Sequence, residues 1–297
     1  MAWAGKVALV TGATGTVGER IVHRLLAEGM QVRALVRRPA AEVGLPGEVE
    51  LRSGDLTDRP SVERAMAGSD LVVHSAAYIG ADWDMARAAN VTGTEHVLQA
   101  AWAARPERFV YLSTINVYDV RNRKELPEES PLWEVGPYAY HHTKTEAERL
   151  VQAAAKRLPT VILRPGAILS PHPSSTWGPL VVKRLAESET IRYHPEGILP
   201  WVHVENLVDM LMLAIQSPDA AGQAYNAVDG HVPFDQFHGQ IAAWLGRDPV
   251  RITDQPPSQA QVYPGDKIRA LGYSPRVTYD EAMAEIRDAC REMGLLP

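Results

Sequence analysis

The chain has 297 residues, is 45% hydrophobic and carries a formal net charge of −6 with both signs mixed along its length, so it can bury a sizeable core and lacks the clustered basic face that nucleic-acid binding needs. Its longest apolar runs fall short of the ~20 residues that span a bilayer, and its start does not resemble a cleavable leader, which predicts a cytoplasmic protein with no membrane segment. Because the charge pattern argues against nucleic acid, we expect a small-molecule partner. A single cysteine, Cys290, excludes an internal disulfide or a cysteine-built metal site, and we expect no metal.

Short runs rich in Val, Ile and Leu alternate with longer segments of helical period along most of the chain. The predicted strands are residues 6–10, 31–36, 49–53, 71–76, 108–113, 160–165 and 224–228. The predicted helices lie near residues 16–28, 60–67, 84–104 and 138–157. This alternation is typical of an α/β fold in which a doubly wound parallel sheet is covered by helices on both faces.

The composition of the sequence changes at Ser170, where the Pro- and Ser-rich stretch SPHPSSTWGPL begins. The predicted elements after it are shorter. Such a change marks the chain leaving the sheet to form a separate lobe, although a long surface loop would look the same. We predict a dinucleotide-binding domain of residues 1–169 with about 201–228. Residues 170–200 with about 229–297 are predicted to form a small C-terminal substrate lobe.

The first predicted strand runs into the glycine-rich stretch TGATGTVG, and a helix follows near Thr16. Gly12 can adopt backbone angles that a side chain would forbid, Gly15 lets a pyrophosphate approach the main chain, and Gly18 lets the helix pack tightly on the strand. The phosphates would meet backbone N–H groups at the helix start, around Thr16 and Val17, where the helix dipole favours negative charge. This context predicts nucleotide binding over a merely structural turn.

The second predicted strand ends in LVRRP, which carries Arg37 and Arg38 and no acidic residue. An acid at this position holds the adenosine ribose hydroxyls of NAD, whereas arginine suits the 2′-phosphate of NADP. The sequence therefore predicts NADP as the cofactor, with Arg37 as the main contact, while NAD stays possible. The alternative is that both arginines are an ordinary solvated strand end.

Two further strand ends carry residues that suit a dinucleotide. Asp55, followed by Leu56 in GDL, can accept a hydrogen bond from the adenine amino group. Ala76 and Ala77 in HSAA leave room for a cofactor ribose. Their order along the chain matches one path along the carboxyl edge of a single sheet, where ligands of open α/β folds bind.

Tyr140 and Lys144 stand four residues apart in a segment of helical composition, which places both side chains on one helix face. A phenol is protonated near neutrality, so we expect the Lys144 ammonium to lower the pKa of Tyr140 and allow it to act as an acid/base. A hydroxyl that holds the substrate oxygen would complete the set. Ser113 and Thr114, at the end of the fifth predicted strand, offer one.

Seven motifs in this order make the chain similar to the extended short-chain dehydrogenase/reductase family, which includes epimerases and dehydratases. The motifs are TGATGTVG, GDL, HSAA, NVTGT, STINVY, YHHTK and LRPG, and the resemblance covers about the first 230 residues. Within the family, GILPWVHVENLVDM and GQAYNAVDGHVPFDQF are most similar to the 3β-hydroxysteroid dehydrogenase and dihydroflavonol reductase branch. The resemblance implies a doubly wound Rossmann sheet with a small C-terminal substrate lobe.

The resemblance also implies roles for particular positions. The three glycines of the turn would bind pyrophosphate, and Tyr140 and Lys144 would be the acid/base and its partner. Thr114 would be the catalytic hydroxyl. Asn90 and the backbone from Pro165 to Ile168 would flank the cofactor.

Within such a family the departures favour carbonyl reduction. Acidic residues that directly follow the catalytic threonine are typical of sugar-nucleotide dehydratases, whereas Ile115 and Asn116 occupy those positions here. We therefore predict an NADP(H)-dependent reductase that interconverts a carbonyl and a secondary alcohol. A nucleotide-sugar epimerase that retains its cofactor, and a non-catalytic NADP sensor, are the two alternatives.

The aromatic residues near the predicted site favour an apolar or aromatic substrate. Tyr78 and Trp83 follow the fourth strand, Asn116 follows the catalytic threonine, and Trp177 lies in the loop that enters the second lobe. Ordinary core packing would explain each aromatic residue as well. The two long helices, near 84–104 and 138–157, resemble those through which relatives pair, which predicts a homodimer.

Overall fold

A computed structural model describes residues 3–38, 42–254 and 260–296, and within these ranges each predicted strand forms, with ends that differ by at most two residues. The strands are β1 (Val7–Thr11), β2 (Gln31–Val36), β3 (Glu50–Ser53), β4 (Leu71–His74), β5 (Arg108–Leu112), β6 (Thr160–Pro165), β7 (Ala167–Leu169), β8 (Arg192–Tyr193), β9 (Ile198–His203), β10 (Ala224–Ala227), β11 (Gly230–Pro233) and β12 (Val250–Arg251). The α-helices are α1 (Thr16–Ala27), α2 (Arg59–Met66), α3 (Trp83–Ala86), α4 (Gly93–Ala104), α5 (Ala139–Ala154), α6 (Pro179–Glu187), α7 (Val204–Gln216), α8 (Phe234–Trp244), α9 (Asp266–Ala270) and α10 (Tyr279–Glu292).

Seven strands form the central sheet in the order β10-β6-β5-β4-β1-β2-β3, and the pairings from β6 to β3 are all parallel. The winding reverses at β1, because β2 pairs with one of its edges and β4 with the other. Ligands of open parallel sheets bind at the carboxyl ends of the strands beside such a reversal. Thr11 at the end of β1 lies opposite His74 at the end of β4, so the glycine turn and the HSAA segment both leave the sheet at this point. The predicted doubly wound sheet is confirmed.

One apolar cluster joins the central sheet to α2, α4 and α5. On the sheet it contains the buried residues Leu9, Val72, Phe109, Tyr111 and Ile162. The helices contribute mostly small and aliphatic residues to it, namely Val62, Ala65, Met66, Val97, Leu98, Ala100, Ala101, Ala147, Val151 and Ala154. This packing fixes α5 against the sheet and so determines which side chains its first turns present at the carboxyl edge.

The predicted helix at 84–104 is continuous but irregular. A π-helical segment, Arg87–Thr92, lies between α3 and α4, and the backbone of Ala86 and Gly93 on either side is helical. Wider π turns inside α-helices occur frequently at functional sites. Asn90, one of the predicted site residues, lies in this segment and is buried.

The chain divides into two compact units. Unit 1 comprises residues 1–119, 130–164 and 208–225, and unit 2 comprises 120–129, 165–207 and 226–297. Unit 2 has its own three-stranded sheet of β7, β9 and β11, with an apolar core that includes residues of α6, α8 and α10. Its last helix, α10, begins at a capping box formed by Thr278 and Glu281. Across the described ranges, no helix combines the length and the apolar character needed to cross a membrane.

Candidate active site

The glycine turn has the backbone geometry that the sequence predicts. Gly12 has φ of +72°, and a Cβ there would lie 2.7 Å from the backbone nitrogen of Ala76. A Cβ on Gly18 would lie 2.0 Å from the carbonyl oxygen of Gly12, so α1 approaches the turn too closely for any side chain. Both glycines are therefore required by the protein itself.

Gly15 differs from its two neighbours in the motif. It is the exposed N-cap of α1, with φ of −92°, an angle that other residues also adopt. A Cβ there would lie 3.4 Å from the Gly12 carbonyl oxygen, which is ordinary van der Waals contact. Nothing in the described chain thus demands glycine at this position, whereas a pyrophosphate close to the main chain would. Thr16 and Val17, both half-buried, form the first turn beside it, so the turn fits a dinucleotide.

The predicted adenosine end of the site is exposed. Arg37 and Arg38 follow β2 at the surface, and the Arg37 guanidinium, 80% exposed, lies 3.9 Å from an Asp55 carboxylate oxygen. The other Asp55 oxygen accepts hydrogen bonds from the backbone N–H and the hydroxyl of Thr57, at 2.8 and 2.7 Å. Burial acts to raise the pKa of Asp55, but the Thr57 hydrogen bonds and the Arg37 charge outweigh it and hold the pKa below its usual value. Asp55 is therefore an anion beside Arg37, with one oxygen already engaged.

The segment after β4 lies against the glycine turn and is held in place by Asn90. Ala76 contacts Gly12, and Ala77 is exposed. The Asn90 side-chain oxygen accepts from the Tyr78 N–H at 2.7 Å, while its nitrogen donates to the Tyr78 carbonyl and to the Thr143 hydroxyl at 2.9 and 3.0 Å. Both amide hydrogens are thus used within the protein, so Asn90 fixes this segment to α5 rather than offering a donor to a ligand.

Leu56, the remaining predicted contact on this edge, is half-buried. Its carbonyl lies 2.8 Å from Nδ1 of His96 in α4, and its side chain packs close to Gly93. These contacts join the loop after β3 to α4. The structure thus brings Leu56 to the carboxyl edge of the sheet through helix packing.

Tyr140 and Lys144 both face the end of β5, as the four-residue spacing predicts. The Lys144 ammonium donates to the Leu112 carbonyl at 2.8 Å and lies 4.2 Å from the ring centroid of Tyr111. The Thr114 hydroxyl, which is itself buried, lies close enough to the Tyr140 phenol to act on its pKa. Three residues predicted to act together are therefore neighbours in unit 1.

The protonation of this pair differs from the expectation. Burial raises the pKa of Tyr140 to about 12, and the nearby Thr114 hydroxyl opposes this rise only in part. Burial also lowers the pKa of Lys144 to about 7, although the negative charge of Glu148 acts in the other direction. The predicted lowering of the phenol pKa by Lys144 is absent here, because removal from water dominates both groups and the ammonium is bonded to the Leu112 carbonyl.

Ser113 and Thr114, which the sequence offers as alternatives, have different partners. The Thr114 hydroxyl accepts from the Asn116 N–H at 3.2 Å and lies near the Tyr140 phenol. The Ser113 hydroxyl instead donates to the Glu148 carboxylate at 2.5 Å. Sequence reasoning missed Glu148, although its position four residues after Lys144 could have indicated it.

Three of the predicted substrate residues lie in unit 1. Trp83 is 51% exposed, and its ring centroid lies 5.6 Å from that of His142, two residues after Tyr140 in α5. Asn116 is half-buried beside Thr114, and the half-buried Tyr78 side chain folds back over Gly80. Ile79 and Met85, near Trp83 in sequence, are 66% and 55% exposed. An apolar surface therefore adjoins the start of α5.

The fourth predicted substrate residue, Trp177, and the predicted cofactor residues Pro165 and Ile168 lie in unit 2. Pro165 is buried at the end of β6 and Ile168 is half-buried in β7. Trp177 packs edge-on against Phe237, with ring centroids 6.0 Å apart, beside the apolar core of that unit. No group of three or more His, Cys, Asp or Glu residues is placed to hold a metal ion in the part of the chain that the structure describes.

Comparisons with known proteins agree with this geometry. A family model described as "NAD dependent epimerase/dehydratase family" matches residues 8–227. The chain is 31% identical to 4-hydroxy-2-methyl-3-oxo-4-farnesyl-3,4-dihydroquinoline-1-oxide ketoreductase of Stigmatella aurantiaca, over 94% of this chain and 95% of the relative. It is 34% identical to a 2-alkyl-3-oxoalkanoate reductase of Stenotrophomonas maltophilia, over 80% of this chain and 75% of that one. A solved structure of dTDP-glucose 4,6-dehydratase from Streptomyces venezuelae, with NAD and TYD bound, has a TM-score of 0.82 at 26% identity, over 96% of this chain and 97% of that one.

Proposed function

Since the chain belongs to the NAD-dependent epimerase/dehydratase family, we propose that it is an NADP(H)-dependent reductase that converts a ketone on an apolar substrate into a secondary alcohol. It is an NAD(P)-dependent enzyme of the extended short-chain dehydrogenase/reductase type. The observation that carries the proposal is the grouping of Tyr140, Lys144 and Thr114 at the end of β5.

The glycine turn is the proposed site for the dinucleotide phosphates. Gly12 and Gly18 shape the turn, and Gly15 leaves its outer surface open. A bound nicotinamide dinucleotide supplies or accepts the hydride. The residues of the chain have to bind the dinucleotide, orient the substrate carbonyl and transfer one proton to or from its oxygen.

Tyr140 is the proposed proton donor in the reductive direction. With a pKa of about 12 its phenol carries a proton at neutral pH and can pass it to the carbonyl oxygen as an alkoxide forms there. Thr114, which lies near the same phenol, would hold that oxygen. Lys144 would stabilise the resulting phenolate through its positive charge.

The NADP assignment depends on Arg37 and Arg38. Both lie at the surface after β2, where a 2′-phosphate would find two guanidinium groups and no competing acid on the same strand end. Asp55, 3.9 Å from Arg37, partly offsets this preference. NAD binding is known for the related dehydratase structure, so the choice between the two cofactors is a proposal for this chain.

The proposed substrate is a ketone that carries an alkyl or isoprenoid group. Ile79, Trp83 and Met85 are exposed apolar side chains, and Trp83 lies against His142 of α5, so they favour such a group over a sugar. Both relatives named as reductases act on oxo compounds whose names include an alkyl or farnesyl group. Ile115 and Asn116, which follow Thr114, supply no carboxylate to expel water from a sugar. A homodimer formed through α4 and α5 stays a prediction.

A substrate panel tests this function. Purified protein with NADPH is mixed with 2-alkyl-3-oxo acids, isoprenoid ketones, aldehydes and nucleotide sugars, and the nicotinamide absorbance is followed. We expect that absorbance to fall with apolar ketones. A nucleotide sugar converted without net absorbance change would indicate an epimerase instead, and cofactor binding without any turnover would indicate a sensor.

A further inference from the structure

The face of α5 that carries Tyr140 and Lys144 continues to a third ionisable residue, Glu148. The three stand at intervals of four, so they follow one another along the helix. Glu148 lies in the middle of α5 and is 0% exposed, although its side chain is ionisable. A carboxylate in such a place is costly unless charged or polar partners compensate for the lost water.

Glu148 has those partners on several sides. Arg164 of β6 donates to one carboxylate oxygen from Nη2 at 2.6 Å and from Nε at 3.0 Å, and the Gln152 side chain donates to the same oxygen at 2.8 Å. Ser113 donates to the other oxygen. Arg164 is itself held by the Tyr118 hydroxyl at 2.6 Å. These bonds fix the carboxylate in one orientation.

Three consecutive residues at the end of β5 each lie beside one of the three residues on α5, and two of them hold their partner by a hydrogen bond. The Leu112 carbonyl accepts from Lys144, the Ser113 hydroxyl donates to Glu148, and the Thr114 hydroxyl lies near the Tyr140 phenol. The strand end therefore sets the positions of the acid/base, the lysine and the carboxylate together. An ion pair that only stabilised the fold would not need to share the end of β5 with the catalytic residues.

The other groups around Lys144 do not favour its charge as a carboxylate does. Tyr111 of β5 lies under the ammonium at 4.2 Å, and burial raises its pKa well above the ordinary value, so it stays neutral. His74 of β4 is also neutral, because burial and the Lys144 charge lower its pKa to about 3. Tyr140 keeps its proton as well. Among the described groups that face Lys144, Glu148 is the one whose charge opposes the effect of burial.

We propose that Glu148 is a positioning residue for the catalytic pair, and that its carboxylate, oriented by Ser113 and Arg164, keeps a larger share of Lys144 in the ammonium form than burial alone would allow. The importance of this for turnover rests on the function proposed above. Its effect on Lys144 itself does not.

The titration of Lys144 in the ligand-free protein tests the proposal without any substrate. Lysine labelled with ¹³C at Cε is followed by NMR as the pH is raised, and the Lys144 signal is assigned by its loss in Lys144→Arg. In the unaltered protein we expect a midpoint near 7. In Glu148→Gln the midpoint should fall by roughly one pH unit, because the nearby negative charge is gone.

Glu146→Gln is the matched control. It removes one carboxylate from the same helix, but Glu146 is partly exposed and pairs with Arg87 at 3.1 Å and His142 at 3.7 Å. We expect the Lys144 midpoint to stay in place in this variant. An equal shift in both variants would mean that only the net charge of the helix matters and would overturn the proposal.

Glu148→Gln removes the carboxylate that pairs with the buried Arg164 guanidinium, and the loss of that charge can prevent folding. Glu148→Gln combined with Arg164→Gln removes both charges, so its midpoint is compared with that of Arg164→Gln alone, and we expect it to be lower than in that single variant. An unchanged or raised midpoint in whichever of these variants folds would refute the role of Glu148. Failure of the substrate panel, by contrast, would leave this titration unaffected and would count only against the proposed reaction.

Discussion

The two ends of the proposed dinucleotide site differ in how their charged groups are held. At the catalytic end, Lys144 and Glu148 are buried, and each has partners closer than 3 Å on neighbouring elements. At the adenosine end, Arg37 is 80% exposed, and the Asp55 carboxylate lies 3.9 Å from its guanidinium. The charged groups at the catalytic end form a buried hydrogen-bonded network, whereas those at the adenosine end are exposed to solvent.

This difference determines how strongly a single substitution acts. Buried charges have lost their water, so removing one partner leaves the other uncompensated. Exposed ion pairs are weak and are screened by salt. Substitutions should therefore have large effects at the catalytic end, intermediate effects at the glycine turn and small effects at the arginines.

The largest effect is expected for Tyr140→Phe, which removes the proposed proton donor and keeps the ring. Turnover should fall by a factor on the order of 10² or more, because the developing alkoxide loses its proton source. Cofactor affinity, measured by nicotinamide fluorescence, should be nearly unchanged. Steady-state kinetics with a ketone from the panel gives the first quantity.

Tyr138→Phe is the matched control for that experiment. Tyr138 is 67% exposed and lies just before α5, with its ring against His141. It should lose less than a factor of a few in turnover. Comparable losses in both variants would remove Tyr140 from the mechanism.

The sequence predicts the parts of this site that local patterns specify. The strand–glycine–helix order places the turn, and the spacing of Tyr140 and Lys144 places both on one face of α5. Helical and strand periods are properties of a few consecutive residues, so they can be read without the fold. The seven strands of the central sheet follow from the same patterns.

The network below the catalytic pair could not be predicted in this way. Ser113 and Glu148 are 35 residues apart, and Asn90 is 53 residues from Thr143. Only the folded chain brings such residues together. The raised pKa of Tyr140 was missed for the same reason, since it depends on burial and not on the nearest charge in sequence.

An intermediate effect is expected for Gly15→Ala in the glycine turn. The added methyl group has room within the protein, since its nearest neighbour is the Gly12 carbonyl oxygen at 3.4 Å, but it would project toward the proposed pyrophosphate. Dinucleotide affinity should weaken roughly tenfold, or ~1.4 kcal/mol, with little loss of thermal stability. Calorimetric titration and thermal unfolding measure the two quantities.

Two further alanine variants serve as controls, one expected to have a larger effect on stability and one expected to have none. Gly18→Ala should destabilise the fold itself, because its Cβ would lie 2.0 Å from the Gly12 carbonyl oxygen, whereas Gly47→Ala, at an exposed glycine with open space around it, should change neither quantity. If Gly15→Ala kept full affinity for the dinucleotide, the phosphates would have to bind elsewhere.

The smallest effect is expected for Arg37→Ala at the exposed end. The ratio of kcat/KM with NADPH to that with NADH should fall by about tenfold, because one charge-assisted contact to the 2′-phosphate is lost. The NADH value, which has no such phosphate, should be nearly constant and serves as an internal control. Equal or NADH-favouring values in the unaltered protein would contradict the NADP assignment.

Salt provides an independent check on where this preference originates. A contact between an exposed guanidinium and a phosphate weakens as ionic strength rises, since the Debye length falls from ~10 Å at 0.1 M to ~3 Å at 1 M. The NADPH preference should therefore decline with added salt in the unaltered protein and respond much less in Arg37→Ala. A preference that resists salt would place the 2′-phosphate in a buried pocket, and the exposed Arg37 side chain could not then be its main contact.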